Sequence, residues 1–256
     1  MDFEQALQDE TLGIVADPIR PDQPPATLLI AFGGLASRLD GIPPFEFLSA
    51  LSDTAARRVF VRDLNQSWYQ EGVRGVSSTL VTTTAALRAL VAESGALRVV
   101  TLGVSAGGFA AIYFGCQLDA DLVLAFGPQT FTSRRLRRWY RDRRWVEEIA
   151  RIDTLDPATT CRDLRPVVAA RASKSRTPIE IHYGRRSRVD RAHARRLRRF
   201  ATVTLIEHDA GHNPAKALKD AGELDAVLKR AVAAPTCVIR ARARVGDARR
   251  RSNQSP

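Results

Sequence analysis

Cysteine is scarce in this chain: Cys116, Cys161 and Cys237 are odd in number and far apart. That spacing excludes a disulfide framework and a CxxC metal site, and it predicts free thiols, with Cys116 inside a helix. Lysine is nearly absent, supplying 4 of the 39 basic residues, the rest being arginine. Only four histidines occur, so any imidazole chemistry must draw on His182, His193, His208 or His212. No apolar run reaches the roughly 18 residues that a membrane span needs. The acidic start, Met1-Asp2-Phe3-Glu4-Gln5, lacks the basic opening and apolar stretch of a secretory signal. Cytoplasmic residence without a membrane span is the expectation.

What is present is arginine. The formal charge is +11 over 256 residues, with arginine clusters at 134–151, 185–199 and 240–251. The last cluster holds six Arg against one Asp, so it alone carries +5. Arginine at this density, mixed with alanine, reads as a solvated basic surface, and nucleic acid is not expected as a partner. Hydrophobic residues make up 45% of the chain, enough for one sizeable core.

Six short apolar runs read as strands: 27–32, 59–61, 99–102, 122–126, 178–183 and 202–207. Most are dense in Val, Ile and Leu without strict alternation, as suits parallel strands covered on both faces. Helical patterns lie between them, at 45–51, 79–93, 106–118, 134–149, 190–200 and 215–232. The alternation predicts an α/β three-layer sandwich with a mostly parallel sheet of about six strands. Residues 1–25 read as an irregular lead-in, 26–234 as the domain, and 235–256 as a basic disordered tail. The stretch 129–176 is longer than one crossover helix needs and predicts a small helical cap over one end of the sheet.

The run Arg98-Val-Val-Thr-Leu-Gly-Val-Ser-Ala-Gly-Gly-Phe is the most informative. A strand leads into G-x-S-x-G, then small residues open a helix, which is the pattern of a nucleophile elbow at Ser105. Gly103 and Gly107 leave room where a side chain would collide with a neighbouring element. Ser105 at a helix start also turns the Ala106 N–H toward a developing oxyanion. A phosphate-binding loop is excluded, because Phe109 stands where its lysine belongs.

A serine nucleophile needs a base, and the base needs an orienting acid. His182 lies within a strand, and His193 sits on a basic helix, where solvation is expected. His208 and His212 both follow the last strand. His212 is preferred, because Asp209-Ala210-Gly211-His212-Asn213-Pro214 is a turn that can swing an imidazole over the serine. For the acid, Asp190 is the only carboxylate in the loop after the fifth strand, although an Asp at a helix start also serves as an N-cap. Glu207 and Asp209 lie too close in sequence to the base to orient it easily. Gly33-Gly34-Leu35 after the first strand supplies the second oxyanion donor, the Gly34 N–H, with Leu35 as the fallback.

With these positions in hand, the chain resembles the α/β-hydrolase superfamily, and more narrowly an uncharacterised group of bacterial α/β-hydrolase-like proteins. The features that carry the likeness are Phe32-Gly33-Gly34, Arg62-Asp63-Leu64-Asn65-Gln66-Ser67-Trp68-Tyr69-Gln70, Gly103-Val104-Ser105-Ala106-Gly107-Gly108, Phe126-Gly127-Pro128-Gln129-Thr130 and Gly211-His212-Asn213. It spans roughly 26–232. Many superfamily members carry His-Gly where this chain has Phe32-Gly33. The resemblance implies the fold and a Ser105, Asp190, His212 set, without naming a substrate.

The segment 63–70 leaves the strand end where such sheets bind ligands. Trp68 and Tyr69 can wall an acyl or sugar pocket, with Leu35 beside them and Arg62 or Asp63 holding a polar group. Equally, Asp63 can bond Asn65 or Ser67 and fix the loop. The expected activity is a serine hydrolase acting on an ester, thioester or amide, with a small acyl or glycan-derived substrate and no metal or organic cofactor. An acyltransferase would use the same residues. A non-catalytic binding protein on the same fold is the rival from another class.

Overall fold

The computed structural model describes residues 3–9, 11–18, 25–35, 45–173 and 177–233. The expected basic tail and Cys237 lie outside the described residues. Seven strands form one sheet: β1 (Ile14–Ala16), β2 (Thr27–Phe32), β3 (Arg57–Val61), β4 (Arg98–Val104), β5 (Leu122–Phe126), β6 (Ile179–Gly184) and β7 (Val203–His208). Their order is β1-β3-β2-β4-β5-β6-β7, with every pair parallel except β1 against β3.

β1 is one strand more than the apolar runs predict, and it lies in the stretch expected to be irregular. Three residues are too few to show a periodicity. Long-range contacts hold it instead: Val15 is buried, and Arg62 Nε donates to the Leu12 carbonyl at 2.8 Å. A short helix, α1 (Phe3–Gln8), precedes it.

The alternation along β2 explains the three layers. Leu28, Ile30 and Phe32 face one apolar cluster, while Leu29 and Ala31 face the other. The first cluster is closed by α2 (Leu80–Ser94), α3 (Ala106–Gln117), α6 (Leu164–Ala172) and α7 (Arg188–Leu197). The second is closed by Phe45, Leu51 and the helices α8 (Pro214–Asp220) and α9 (Leu224–Val232). Both faces are covered, which is why these strands carry near-continuous apolar runs.

Between β5 and β6 lie α4 (Arg134–Tyr140), α5 (Val146–Ile152) and α6. The single helix expected at 134–149 is broken, because Arg141 and Trp145 both take left-handed backbone, at φ 56° and 55°. α6 buries Leu164 and Val168 in the core, so it is the crossover helix rather than part of a cap. What remains above the sheet edge is narrower than 129–176: α4, α5 and their links. At the other end, the helix expected at 215–232 splits at Gly222, with φ 72°. Of the helix expected at 45–51, only a 3-10 turn at Ser49–Leu51 forms.

Candidate active site

Ser105 joins β4 to α3 with φ 54° and ψ −113°, a backbone state that a residue with a side chain adopts only when its surroundings force it. The surroundings do so from both sides. The Ser105 N–H is spent on the Phe126 carbonyl at 2.9 Å, and the Ser105 carbonyl accepts from Phe109 N–H at 3.1 Å. A Cβ at Gly103 would run into the Gly107 backbone, and one at Gly107 into the Phe32 carbonyl. The turn is therefore packed too closely to relax, and it lifts the hydroxyl above the strand ends.

His212 Nε2 stands 3.0 Å from Ser105 Oγ, and His212 Nδ1 stands 2.9 Å from Asp190 Oδ2. The carboxylate accepts from Nδ1–H, which leaves Nε2 as the acceptor facing the serine. Asp190 is buried, and it is not the helix cap: Ser187 fills that role, its side chain accepting from Asp190 N–H at 3.2 Å. Burial alone would raise the Asp190 carboxyl. The bond from His212 and the Arg144 guanidinium outweigh it and hold the group below the ordinary carboxylate range.

On the other side of the serine, Ala106 is the first residue of α3, so its N–H has no intrahelical acceptor. Gly34 closes against the serine: a Cβ on it would lie 3.7 Å from Ser105 Cβ and 3.1 Å from the Val104 carbonyl. Its N–H, however, is engaged by the Glu46 carboxyl. Burial pushes Glu46 up to about 7, with the Gly34 N–H offsetting part of the rise. Glu46 Oε2 is buried and has no partner among the described residues. Beneath the loop, the Tyr69 hydroxyl lies 2.9 Å from the Gly33 carbonyl and 3.0 Å from the Val61 carbonyl. Because a trans peptide points its C=O and N–H in opposite directions, fixing the Gly33 carbonyl also fixes the direction of the Gly34 N–H.

The proposed substrate wall is corrected by burial. Trp68 and Tyr69 are 1% and 0% exposed and offer no face to a ligand. Trp68 Nε1 donates to Gln129 Oε1 at 2.9 Å, so the indole is framework under the site. Asp63 is buried too, its Oδ2 accepting from Ser67 N–H at 2.6 Å and Tyr69 N–H at 3.0 Å, which makes it the loop-fixing group. Arg62 is likewise spent on the N-terminal segment. Leu35 is partly buried against the core.

The other histidines are placed elsewhere. His208 Nε2 meets His182 Nδ1 at 2.9 Å, and His182 stacks on Phe126. His193, expected to be solvated, is fully buried with its Nε2 3.0 Å from Asp142 Oδ2. The rival acids are also engaged: Glu207 accepts from the Tyr183 hydroxyl, and Asp209 accepts from Arg185 and Arg186.

Three residues at the site have no clear signal in the sequence. Gln129 Oε1 receives the Trp68 indole and lies 3.5 Å from Ser105 Oγ. Glu46, from the segment between β2 and β3, brings its carboxyl to the Gly34 loop. Arg144, from the link between α4 and α5, places Nη1 2.9 Å from Asp190 Oδ1 and 3.1 Å from His212 Nδ1. Among the described residues, no cluster of three or more His, Cys, Asp or Glu side chains is placed to hold a metal ion. No helix among them is long and apolar enough to cross a membrane.

The chain matches solved structures over most of its length. A capsule O-acetyltransferase of Neisseria meningitidis serogroup A aligns over 86% of this chain and 90% of its own, at 10% identity and a TM-score of 0.62. A fluorophosphonate-binding serine hydrolase of Staphylococcus aureus aligns over 90% and 94%, at 13% identity and a TM-score of 0.56. The S-formylglutathione hydrolase of the same organism aligns over 86% and 87%, at 13% identity and a TM-score of 0.55. The chain has the α/β-hydrolase fold. No protein-family model matches the sequence, and no curated relative does. Within this α/β-hydrolase fold, Ser105, Asp190 and His212 follow β4, β6 and β7 at one edge of the sheet.

Proposed function

We propose that this chain is a serine-dependent acyl-transfer enzyme that cleaves an ester, thioester or amide, with Ser105 as nucleophile, His212 as base and Asp190 as orienting acid. The observation that carries the reading is the unbroken line from Ser105 Oγ through His212 to Asp190, at 3.0 and 2.9 Å. Ser105 Oγ attacks the carbonyl while His212 Nε2 takes its proton. The tetrahedral oxyanion is met by the Ala106 and Gly34 N–H groups, once the Glu46 carboxyl has given up the latter. His212 then returns the proton to the leaving group, and an acyl group remains on Ser105. Water activated by His212 releases it. The substrate class is a small acyl or glycan-derived molecule.

A second reading sends the acyl group to a hydroxyl of an acceptor instead of to water. Its support is the likeness to the capsule O-acetyltransferase, one structure of which is in complex with CoA. A non-catalytic binder has no reason to hold the three side chains in this alignment.

The test is labelling with a fluorophosphonate probe. Wild type is expected to label and Ser105→Ala to stay dark. Labelling that survives in the variant, or never occurs in the wild type, defeats the proposal. Adding an alcohol to a labile acyl donor then separates transfer, which gives a new ester, from hydrolysis, which gives only the acid.

A further inference from the structure

We infer that Arg144 is a positioning residue for the Ser105–His212–Asp190 line, coupling the helical cap to the orienting acid; the inference rests on the functional reading above. Asp190 offers two oxygens, and each is taken by a different partner. His212 Nδ1–H goes to Oδ2 at 2.9 Å, and Arg144 Nη1–H goes to Oδ1 at 2.9 Å. A carboxylate held at one oxygen can still turn about its own axis and carry the imidazole with it. Held at both, its plane is fixed, and so is the direction in which Nδ1–H must point.

The guanidinium is itself clamped. Its Nε and Nη2 donate to Asp142 Oδ1 and Oδ2 at 2.9 and 3.0 Å, a bidentate grip with little rotational slack. Asp142 is in turn held by His193 Nε2 at 3.0 Å, and the His193 ring is stacked on Phe131 with ring centroids 3.9 Å apart. Burial would raise the Asp142 carboxyl, but the bonds from His193 and Arg144 hold it far below its ordinary range. Asp142 therefore carries the charge that balances Arg144. Arg144 Nη1 and His212 Nδ1, two donors 3.1 Å apart, are held side by side because Asp190 accepts from both. With Oδ1 occupied, the imidazole is left with Oδ2, which keeps Nε2 free for the serine. Arg144 lies in the link between α4 and α5, so the alignment of the base depends on where the cap sits.

The experiment compares wild type, Arg144→Ala, Arg144→Lys and the exposed neighbour Arg143→Ala in two readouts. The first is turnover of p-nitrophenyl acetate together with the rate of fluorophosphonate labelling. Arg144→Ala is expected to lose on the order of 10- to 100-fold in kcat and labelling rate, as for a misplaced catalytic group. KM should stay within about twofold, because no substrate contact is removed. Added guanidinium chloride at low millimolar concentration should restore part of the rate in Arg144→Ala alone, and Arg143→Ala should match wild type. The second readout is the low-field proton resonance of His212 Nδ1–H, assigned by its loss in His212→Gln. It should be present in wild type, retained in Arg144→Lys and lost in Arg144→Ala. An unchanged kcat, a loss confined to KM, or an unchanged resonance in Arg144→Ala overturns the inference. Should wild type neither turn over nor label, the acyl-transfer reading fails by itself, and the resonance alone decides the role of Arg144.

Discussion

The Tyr69 hydroxyl sits 2.9 Å from the Gly33 carbonyl, and through that one peptide it sets the direction of the Gly34 N–H. The ring is fully buried, so a phenylalanine fits the space and removes only the donor. Tyr69→Phe leaves the Gly33 carbonyl short of a partner, while the Val61 carbonyl keeps the Gly33 N–H at 2.8 Å. Urea denaturation is expected to show a loss of about 1–3 kcal/mol, the usual cost of orphaning a buried acceptor. Fluorophosphonate labelling should slow on the order of tenfold as the loop peptide loosens. An unchanged labelling rate would show that the Gly34 N–H takes no part.

Asp190 is distinguished from its neighbours by what it touches. Asp190→Asn should lower kcat by on the order of 10³–10⁴-fold, since an amide no longer selects the Nδ1–H tautomer. Glu207→Gln and Asp209→Asn should leave kcat within about twofold, because these carboxylates face Tyr183 and the arginines at 185 and 186. A comparable loss in either control would move the orienting role away from Asp190.

Gly34→Ala tests how closely the loop must approach the serine. The added Cβ would stand 3.1 Å from the Val104 carbonyl and 3.3 Å from Glu46 Oε1. Those contacts are tight but can be relieved by small shifts, so the variant is expected to fold with a modestly lower Tm. Its labelling should fall by on the order of 10- to 100-fold as the donor is pushed off line. Parity with wild type would assign the second donor to Leu35.

Glu46 gives a stability prediction with a definite sign. Its carboxyl is raised from 4.5 to about 7 in the folded state. A raised acid favours folding while it stays protonated and costs stability as pH climbs from the unfolded value through the folded one. Glu46→Gln should therefore match wild type near pH 4 and gain on it between pH 4.5 and 7, by up to about 3 kcal/mol. Asp63, raised to about 6 by burial, is present in both proteins and cancels in the difference. Urea midpoints at pH 4 and pH 8 make the comparison, and a constant gap between the two proteins would refute the assignment.

Local order carried most of what the sequence made legible. The runs at 27–32 and 122–126 coincide with β2 and β5, because strands covered on both faces must be apolar throughout. The strand-to-helix turn at Ser105 is legible because two glycines and a helix start fall within five residues. His212 and Asp190 could be singled out because few candidates exist and the loops after β6 and β7 are short. What escaped depends on long-range approach. Trp68 and Tyr69 follow a strand end, where an aromatic can face solvent or the core, and only Gln129 and Gly33 decide between them. His193 reads as solvated on a basic helix, and its burial depends on Asp142, 51 residues away in the link after α4. Arg144 was one arginine among many, and no spacing rule reports that it meets Asp190.

The backbone at Ser105 sets chemistry against comfort. With φ at 54°, a glycine would rest there more easily than any residue with a side chain. Ser105→Gly should therefore give a protein that is harder to melt and unable to form an acyl intermediate. A glycine would relieve the backbone and forfeit the hydroxyl, so at this position stability and the proposed chemistry pull in opposite directions.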